Sequence, residues 1–339
     1  MKRQTCPLVS LFLIFTVFIS TFCFPATLLA APYYEGKRIS IIVGYGPGGG
    51  YDRTARLLAK HLPKYIPGKP VVIVENMEGA VSMIAANHIY NIAKPDGLTL
   101  GTVNRGLPFA QLLKAQGVKF DLSKFSWIGS TAVESNVLTI RSDLPYRSFD
   151  DLLKRKGATF LSSGGPGASS NQFPVLLKEF AGLNIDLVIY VSSSEEMLAV
   201  ERKEVDGRAG SYSSFKPFID RGLVRAIVRG RVSEPGIENL PVDEDLTKSK
   251  MGKTMMVMRS SGDLIGRPFI APPGVPADVM NILRDAFSKA TKDPQFLGES
   301  TKMGMTIDYT PGNECVKALS YVFNQPEDIV KEFGKHIKF

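Results

Sequence analysis

The chain has 339 residues, of which 41 are lysine or arginine and 33 are aspartate or glutamate, and 44% of its residues are hydrophobic. This length is sufficient for two ordinary domains. The positive charge is spread along the chain without a basic block between aromatic residues. That distribution argues against a nucleic-acid partner and favours a small anionic ligand.

The first 31 residues predict a secretory signal. Lys2 and Arg3 precede an apolar run at 8–24, and the segment ends on Ala30-Ala31. A cationic start, an apolar centre and small residues before a cleavage site are typical of an export signal, with an uncleaved membrane anchor as the alternative. We expect cleavage near Ala30-Ala31 and a periplasmic mature chain. Loss of two of the 41 basic residues leaves 39 against 33 acidic ones, a net charge of +6.

The cysteines and histidines favour neither a disulfide framework nor a metal site. Two of the three cysteines, Cys6 and Cys23, leave with the predicted signal, so that Cys315 remains alone. The histidines are far apart in sequence, and none belongs to a pair with the spacing of metal ligands: His61, His88 and His336. We therefore predict no metal and no cofactor.

The mature chain begins with alternating strands and helices. The predicted elements are a strand at 38–43, a glycine-rich loop at 44–50, a helix from Asp52 to about Pro63, a strand at 71–74, a helix at about 82–92 and a strand at 98–103. Such alternation predicts a parallel sheet with helices on its faces.

The same pattern then restarts. The predicted elements are a strand at 137–140, a short helix capped by Ser148, a strand at 159–161, a glycine-rich loop at 162–170, a helix to Phe180, a strand at 186–191, a helix capped by Ser192 or Ser193, and a strand at 224–228. A polar connection at 230–253 leads to a strand at 268–271, a helix at 277–292 and two terminal helices separated by Gln325-Pro326. We predict an α/β fold in which lobe 1 (32–133 and 254–339) and lobe 2 (134–253) face a cleft.

The first glycine loop allows two interpretations. Gly44-Tyr-Gly-Pro-Gly-Gly49 fits the dinucleotide pattern G-x-G-x-x-G, and Glu75 ends the next strand as a ribose-binding acid would. An exported enzyme or nucleotide-cofactor-binding protein is therefore the alternative. Pro47 lacks the N–H that such a turn uses, and Asp52 places a negative charge at the helix start where a pyrophosphate would lie. The sequence contains no Gly-x-Ser-x-Gly elbow, and we predict a protein that is not an enzyme.

The other interpretation is a site for a small carboxylate. Backbone N–H groups of a glycine loop and of a helix N-terminus form a concave donor site for anions. The loop at 162–170 repeats this arrangement in the second unit and adds the hydroxyls of Ser163, Ser169 and Ser170. We expect Gly49 and Gly79 to allow a close approach of backbone to carboxylate.

Several motifs together resemble one family. The stretch from Arg38 to Arg56, with Pro-Gly-Gly ahead of Asp52, is similar to the periplasmic solute receptors of tripartite tricarboxylate transporters, the Bug family. The similarity continues in Val74-Glu-Asn-Met-Glu-Gly-Ala80, Ala93-Lys-Pro-Asp-Gly-Leu-Thr-Leu100, Ser163-Gly-Gly-Pro-Gly167, Val205-Asp206 and Ile270-Ala-Pro-Pro-Gly-Val-Pro276.

The resemblance implies a two-lobed periplasmic-binding-protein fold (Venus flytrap, type II) with a ligand cleft between the lobes. It further implies a monomer that captures a small organic acid and delivers it to membrane transporter subunits. The predicted ligand-binding residues are Tyr45, Gly48, Gly49, Gly50, Tyr51, Asp52, Gly79, Ala80, Ser82, Asn104, Ser163, Gly165, Ser169, Ser170, Tyr190, Ser192 and Asp206.

The chain departs from the family pattern around the predicted site. The usual Val-Pro-Tyr-Lys-Gly of the second lobe is Val188-Ile-Tyr-Val-Ser192, and Asn171 stands where histidine is common. Met77-Glu78 brings an acidic residue into the second loop, and Val81-Ser82 replaces a frequent Gly-Gly. These departures predict a ligand different from the familiar di- and tricarboxylates.

Overall fold

The computed structural model describes residues 31–339. The predicted export signal lies outside the described residues except for Ala31. No helix in the described part is both long enough and apolar enough to cross a bilayer.

Two mixed sheets form the frame. The strands are β1 (Arg38–Val43), β2 (Val71–Asn76), β3 (Thr99–Thr102), β4 (Ser126–Ser130), β5 (Asn136–Arg141), β6 (Thr159–Ser163), β7 (Ile185–Ile189), β8 (Gly207–Ser211), β9 (Val224–Arg229), β10 (Pro268–Ala271) and β11 (Thr310–Pro311). The strand order is β11-β4-β10-β3-β1-β2 in the first sheet and β7-β6-β8-β5-β9 in the second.

Twelve α-helices belong to the described residues. They are α1 (Gly50–His61), α2 (Met83–Asn91), α3 (Leu107–Leu112), α4 (Phe149–Leu153), α5 (Ser169–Ala181), α6 (Ser193–Glu201), α7 (Tyr212–Asp220), α8 (Lys250–Ser260), α9 (Ala277–Ala290), α10 (Pro294–Lys302), α11 (Gly312–Phe323) and α12 (Glu327–His336).

The sheets are mixed: the parallel pairing predicted for the strands at 38–103 is present, and antiparallel pairs add to it. Strand β1 pairs in parallel with β2 and β3, and β6 pairs in parallel with β7 and β8. The strands that adjoin the passages between the sheets, β4, β5, β9 and β10, make antiparallel pairs. The chain crosses from one sheet to the other at 131–135 and again within 230–267, and each time it enters the new sheet through a strand, β5 or β10, that is antiparallel to both of its neighbours. Strands that are linked by helices within one sheet keep the parallel direction.

Short-range signals located most elements correctly. Ser148 and Asp151 form the predicted capping box of α4, and Ser192 caps α6 by accepting a hydrogen bond from the Glu195 N–H at 3.2 Å. Gly182 ends α5 with a φ of 75°, a left-handed conformation that favours glycine. Local hydrogen bonds of this kind depend on residues two to four positions apart, which the sequence displays directly.

Seven elements went unpredicted: α3, β4, α7, β8, α8, α10 and β11. Strand β8 is made of Gly, Arg, Ala, Gly and Ser, which lack strand propensity, and it forms because all five residues are buried between β5 and β6. Helix α7 follows β8 directly. Helix α8 begins inside the segment predicted as a polar connection, at 230–253, and continues beyond it, and its Met255, Met256 and Met258 are buried in the hydrophobic core beside the second sheet.

The lobe boundaries of the sequence analysis stay a prediction. The first sheet takes its strands from 38–130, 268–271 and 310–311, and the second from 136–229. Helix α8 lies across the boundary expected at residue 253 and packs against α5. The two terminal helices have the predicted helix–turn–helix arrangement: α11 packs against β4, and α12 packs against α5 of the second sheet.

Candidate functional site

A cavity of about 520 Å³ lies where loops that leave the two sheets meet. The loops after β1 and β2 form one wall, and the loops after β6, β7 and β8 form the other. Small-molecule sites have volumes of about 300–1,000 Å³. The cavity is therefore large enough for a small organic molecule.

The N-terminal residues of five helices line this cavity. They are the first two residues of α1, the first residue of α2, the first two residues of α5, the first residue of α6 and the third residue of α7. No side chain caps α1, α5 or α7. A helix N-terminus carries unpaired N–H groups and about half a positive charge. Three of the five, α2, α5 and α7, have neither a side-chain cap nor an acidic residue in the first turn, and they make the cavity favourable for an anion.

Asp52 holds the first glycine loop in place. Its buried carboxylate accepts hydrogen bonds from the Gly48 N–H (2.9 Å) and the Asn76 amide (2.9 Å), and it pairs with Arg56 (2.9 Å). Burial raises the pKa of Asp52, but the hydrogen bonds from Arg56, Gly48 and Asn76 outweigh it, and the pKa lies below its ordinary value. The side chain that the sequence analysis placed in the ligand site therefore supports the loop from behind.

The same contacts weaken the dinucleotide interpretation. In that interpretation, the N–H groups at the start of α1 would bind a pyrophosphate. The Gly48 N–H instead donates to the carboxylate of Asp52, which is negative itself. A phosphate at this position would meet a like charge.

The second loop has a left-handed backbone over four residues. Gly79, Ala80, Val81 and Ser82 have φ values of 130°, 45°, 53° and 74°. Residues other than glycine rarely adopt a positive φ, because their Cβ crowds the backbone, and a β-branched residue such as valine is a clear outlier there. The departure from the family pattern at Val81-Ser82 thus falls where glycine would relieve strain. The Ser82 hydroxyl donates to the Gly44 carbonyl at 3.0 Å and ties this loop to the first one.

We expect Val81→Gly to stabilise the protein. Relief of the left-handed valine contributes about 1–2 kcal/mol, and the added freedom of glycine in the unfolded chain offsets about 0.5–1 kcal/mol. Urea denaturation of the mature protein measures the difference. Val175→Gly in α5 is the control and should destabilise by about 1 kcal/mol, because its backbone is helical. A Val81→Gly protein as destabilised as the control would contradict the strained geometry.

Nine of the predicted ligand-binding residues line the cavity. They are Tyr45, Gly50, Tyr51, Gly79, Ala80, Gly165, Ser169, Ser170 and Tyr190. Tyr45 and Tyr51 are stacked at 5.0 Å between ring centroids. The Ser170 hydroxyl accepts a hydrogen bond from the Gly164 N–H at 2.9 Å and fixes the turn ahead of α5.

The other eight lie outside the lining, and most of their polar groups have structural partners. The Ser163 hydroxyl accepts from the Gly165 N–H at 3.1 Å, and Asn104 accepts from the Gly106 N–H at 2.7 Å. Asp206 accepts from the Phe160 N–H at 2.9 Å and pairs with Arg155. The remaining five are Gly48, Gly49, Asp52, Ser82 and Ser192.

Gly49 does not have the special conformation expected for it. Its φ is −74°, which any residue adopts, and a Cβ there would lie at an ordinary 3.8 Å from the Cβ of Ser193. Gly79, with its φ of 130°, does need glycine. Of the two glycines, only Gly79 has a conformation that requires glycine, and the binding role of both stays a prediction.

Two arginines of the cavity escaped the sequence analysis. Arg208 makes a bidentate pair with buried Glu196 at 2.8 and 3.2 Å. Arg267 pairs with buried Glu134 at 3.1 Å, and its guanidinium lies 4.7 Å from the centroid of the Tyr51 ring. Both arginines are less than 10% exposed. A lone arginine among the small residues of a buried strand was the signal that could have revealed Arg208.

A layer of buried charges lies where the chain passes between the sheets. Ser213 donates to the Glu134 carboxylate at 2.8 Å, and Ser135 N–H donates to Glu234 at 2.6 Å. Burial, with the nearby charge of Glu134, raises the pKa of Glu234 to about 7. The segments that connect the two sheets are thus packed around buried, hydrogen-bonded charged side chains and not around apolar ones.

Comparison with known proteins shows the family of the chain. The family model for the "tripartite tricarboxylate transporter family receptor" matches residues 54–335. The chain belongs to this family. A UPF0065 protein of Bordetella pertussis is 27% identical over 311 residues, with 90% of this chain and 92% of that protein covered.

Solved structures establish the fold. The periplasmic binding protein BugD superposes with a TM-score of 0.74 at 21% identity, over 90% of this chain and 100% of BugD. MatC of Rhodopseudomonas palustris with bound malate gives a TM-score of 0.69 at 19% identity, over 87% of this chain and 99% of MatC. The predicted two-lobed periplasmic-binding-protein fold and the Bug-family membership are confirmed.

Proposed function

We propose that the protein is a periplasmic receptor that captures a small organic carboxylate and delivers it to the membrane subunits of a tripartite tricarboxylate-type transporter. The convergence on one cavity of helix N-termini, three of them uncapped and without an acidic first turn, is the observation that carries the proposal. It supplies an anion site without a metal or a cofactor. Membership of the receptor family supports delivery to a transporter, and malate bound to MatC supports a carboxylate as the ligand class.

Binding without turnover is part of the proposal. Among the described residues that line the cavity there is no histidine and no cysteine, and both arginines are paired with buried carboxylates. A serine at the cavity therefore has no imidazole beside it to act as a general base. The walls already touch where the Ser194 hydroxyl donates to the Pro47 carbonyl at 3.3 Å, so entry and release of a ligand would require them to move apart and back, with the segments that connect the sheets as hinges.

A ligand screen tests the proposal. A ligand that binds only the folded protein at a hundred times its Kd adds about 2.7 kcal/mol to the free energy of unfolding. We expect the melting temperature of the mature protein to rise with at least one acid from a panel of mono-, di- and tricarboxylates, and the acid to be recovered unchanged. If NAD raises the melting temperature and no acid does, the dinucleotide interpretation is correct instead.

A further inference from the structure

We propose that the ligand is a monocarboxylate with an apolar body, and that Ile189, Val191 and Glu78 select it. The inference rests on the proposed function and narrows its ligand class. Three observations on the cavity walls support it: exposed apolar side chains, arginines that are already neutralised, and one acidic side chain without a cation.

The first observation is that one wall of the cavity exposes apolar side chains to water. Ile189 ends β7 and is 64% exposed, and Val191 two residues later is 85% exposed. Both line the cavity. On the opposite wall, Val81 and Met83 line the same space. Met83 is already buried, but an apolar ligand body between these walls would remove Ile189, Val191 and the exposed part of Val81 from water, which is favourable in proportion to the area buried.

The second observation concerns the cations. A dicarboxylate needs favourable partners for two negative groups. The buried carboxylates of Glu196 and Glu134 already neutralise Arg208 and Arg267, so neither guanidinium adds net positive charge to the cavity. The helix N-termini remain as the anion site, and no unpaired guanidinium of the lining is left for a second carboxylate.

The third observation is the acidic residue in the second loop. Glu78 is exposed, lines the cavity, and forms no ion pair with a lysine or arginine of residues 31–339. A second carboxylate that reaches Glu78 would be repelled by its charge, because like charges side by side disfavour binding, although solvent weakens the repulsion at an exposed side chain. Glu78 therefore acts against dicarboxylates, while Ile189 and Val191 favour an apolar chain.

Three acids of equal chain length test the inference: hexanoate, adipate and 6-aminohexanoate. They share one carboxylate and differ at the far end, which is apolar, anionic or cationic. Calorimetry on the mature protein should give the lowest Kd for hexanoate, by about tenfold over either competitor. Tighter binding of adipate, or of 6-aminohexanoate through its ammonium group on Glu78, would overturn the inference.

Variants assign the selection to the named side chains. The double variant Ile189→Ser/Val191→Ser should weaken hexanoate binding about tenfold, since it removes the apolar wall. Glu78→Gln should strengthen adipate binding and leave hexanoate unchanged. Ile92→Ser is the matched control, because Ile92 is 70% exposed and lies outside the cavity lining, and it should change neither affinity.

The outcomes separate this inference from the proposed function. If other acids bind but hexanoate does not, or if the serine variant binds hexanoate as the unmodified protein does, the ligand class is wrong and the receptor function stands. If no carboxylate of any kind binds, the receptor function itself fails.

Discussion

Arg267→Met should destabilise the protein by about 3–5 kcal/mol, because it leaves Glu134 buried without its cation. The side chains of both residues are only 4% exposed, and the donors left to Glu134 are hydroxyls such as that of Ser213. Methionine keeps most of the volume of the arginine stem, so the loss reports the charge and not a cavity. Urea denaturation at pH 7 provides the measurement.

The double variant Arg267→Met/Glu134→Gln serves as the control for this prediction. It removes both charges and should recover most of the lost stability, since replacing a whole buried ion pair by neutral groups is often close to neutral. If Arg267→Met alone costs less than about 1 kcal/mol, the carboxylate of Glu134 is not isolated from water in the way the structure shows.

Asp52→Ala is expected to have the second-largest effect, a loss of about 2–4 kcal/mol at pH 7 with weaker binding of the ligand. Hydrogen bonds to a charged group contribute about 1.5–3 kcal/mol each, and Asp52 accepts from both Gly48 and Asn76. Their loss frees the glycine loop that forms one wall of the cavity. Denaturation and calorimetry on the same preparation measure the two effects.

The pH dependence follows from the lowered pKa of Asp52. Its stabilising contribution is fully present above the pKa of an unfolded aspartate and disappears as the pH falls through the lower pKa of the folded state. The difference between the unmodified protein and Asp52→Ala should therefore shrink between pH 5 and pH 3. Arg56→Met is the control, with an expected cost below about 1 kcal/mol, because the Arg56 side chain is 51% exposed. An equal cost for both variants would show that the exposed ion pair, not the loop, carries the effect.

The sequence predicted those parts of the site that depend on neighbouring residues. The two glycine loops, the cap at Ser192 and the start of α5 are set by residues a few positions apart, and they were found where expected. The direction in which Asp52 points was not visible, because it depends on Asn76 from the next strand. A carboxylate at a helix start can face a ligand or its own loop, and only the fold distinguishes these.

Pairs of residues far apart in sequence could not be predicted either, because they too depend on the fold. Glu134 lies in the first segment that connects the sheets, at 131–135, and Arg267 ends the second, at 230–267. No local pattern links two residues so far apart in sequence. The left-handed backbone at Val81 contradicts local propensity, and the frequent Gly-Gly of the family pattern at Val81-Ser82 was the one hint of it. Such conflicts between local preference and the fold are expected at functional sites.

The path of the C-terminal helices has a mechanical consequence. The chain passes between the sheets at 131–135, again within 230–267, and a third time from α11, beside β4, to α12, beside α5. A single tether would let two bodies swivel in any direction. Three connections restrict them toward bending about one line, so the facing walls should return to the same alignment each time a ligand enters or leaves. Cutting one connection would leave the halves joined but imprecisely aligned.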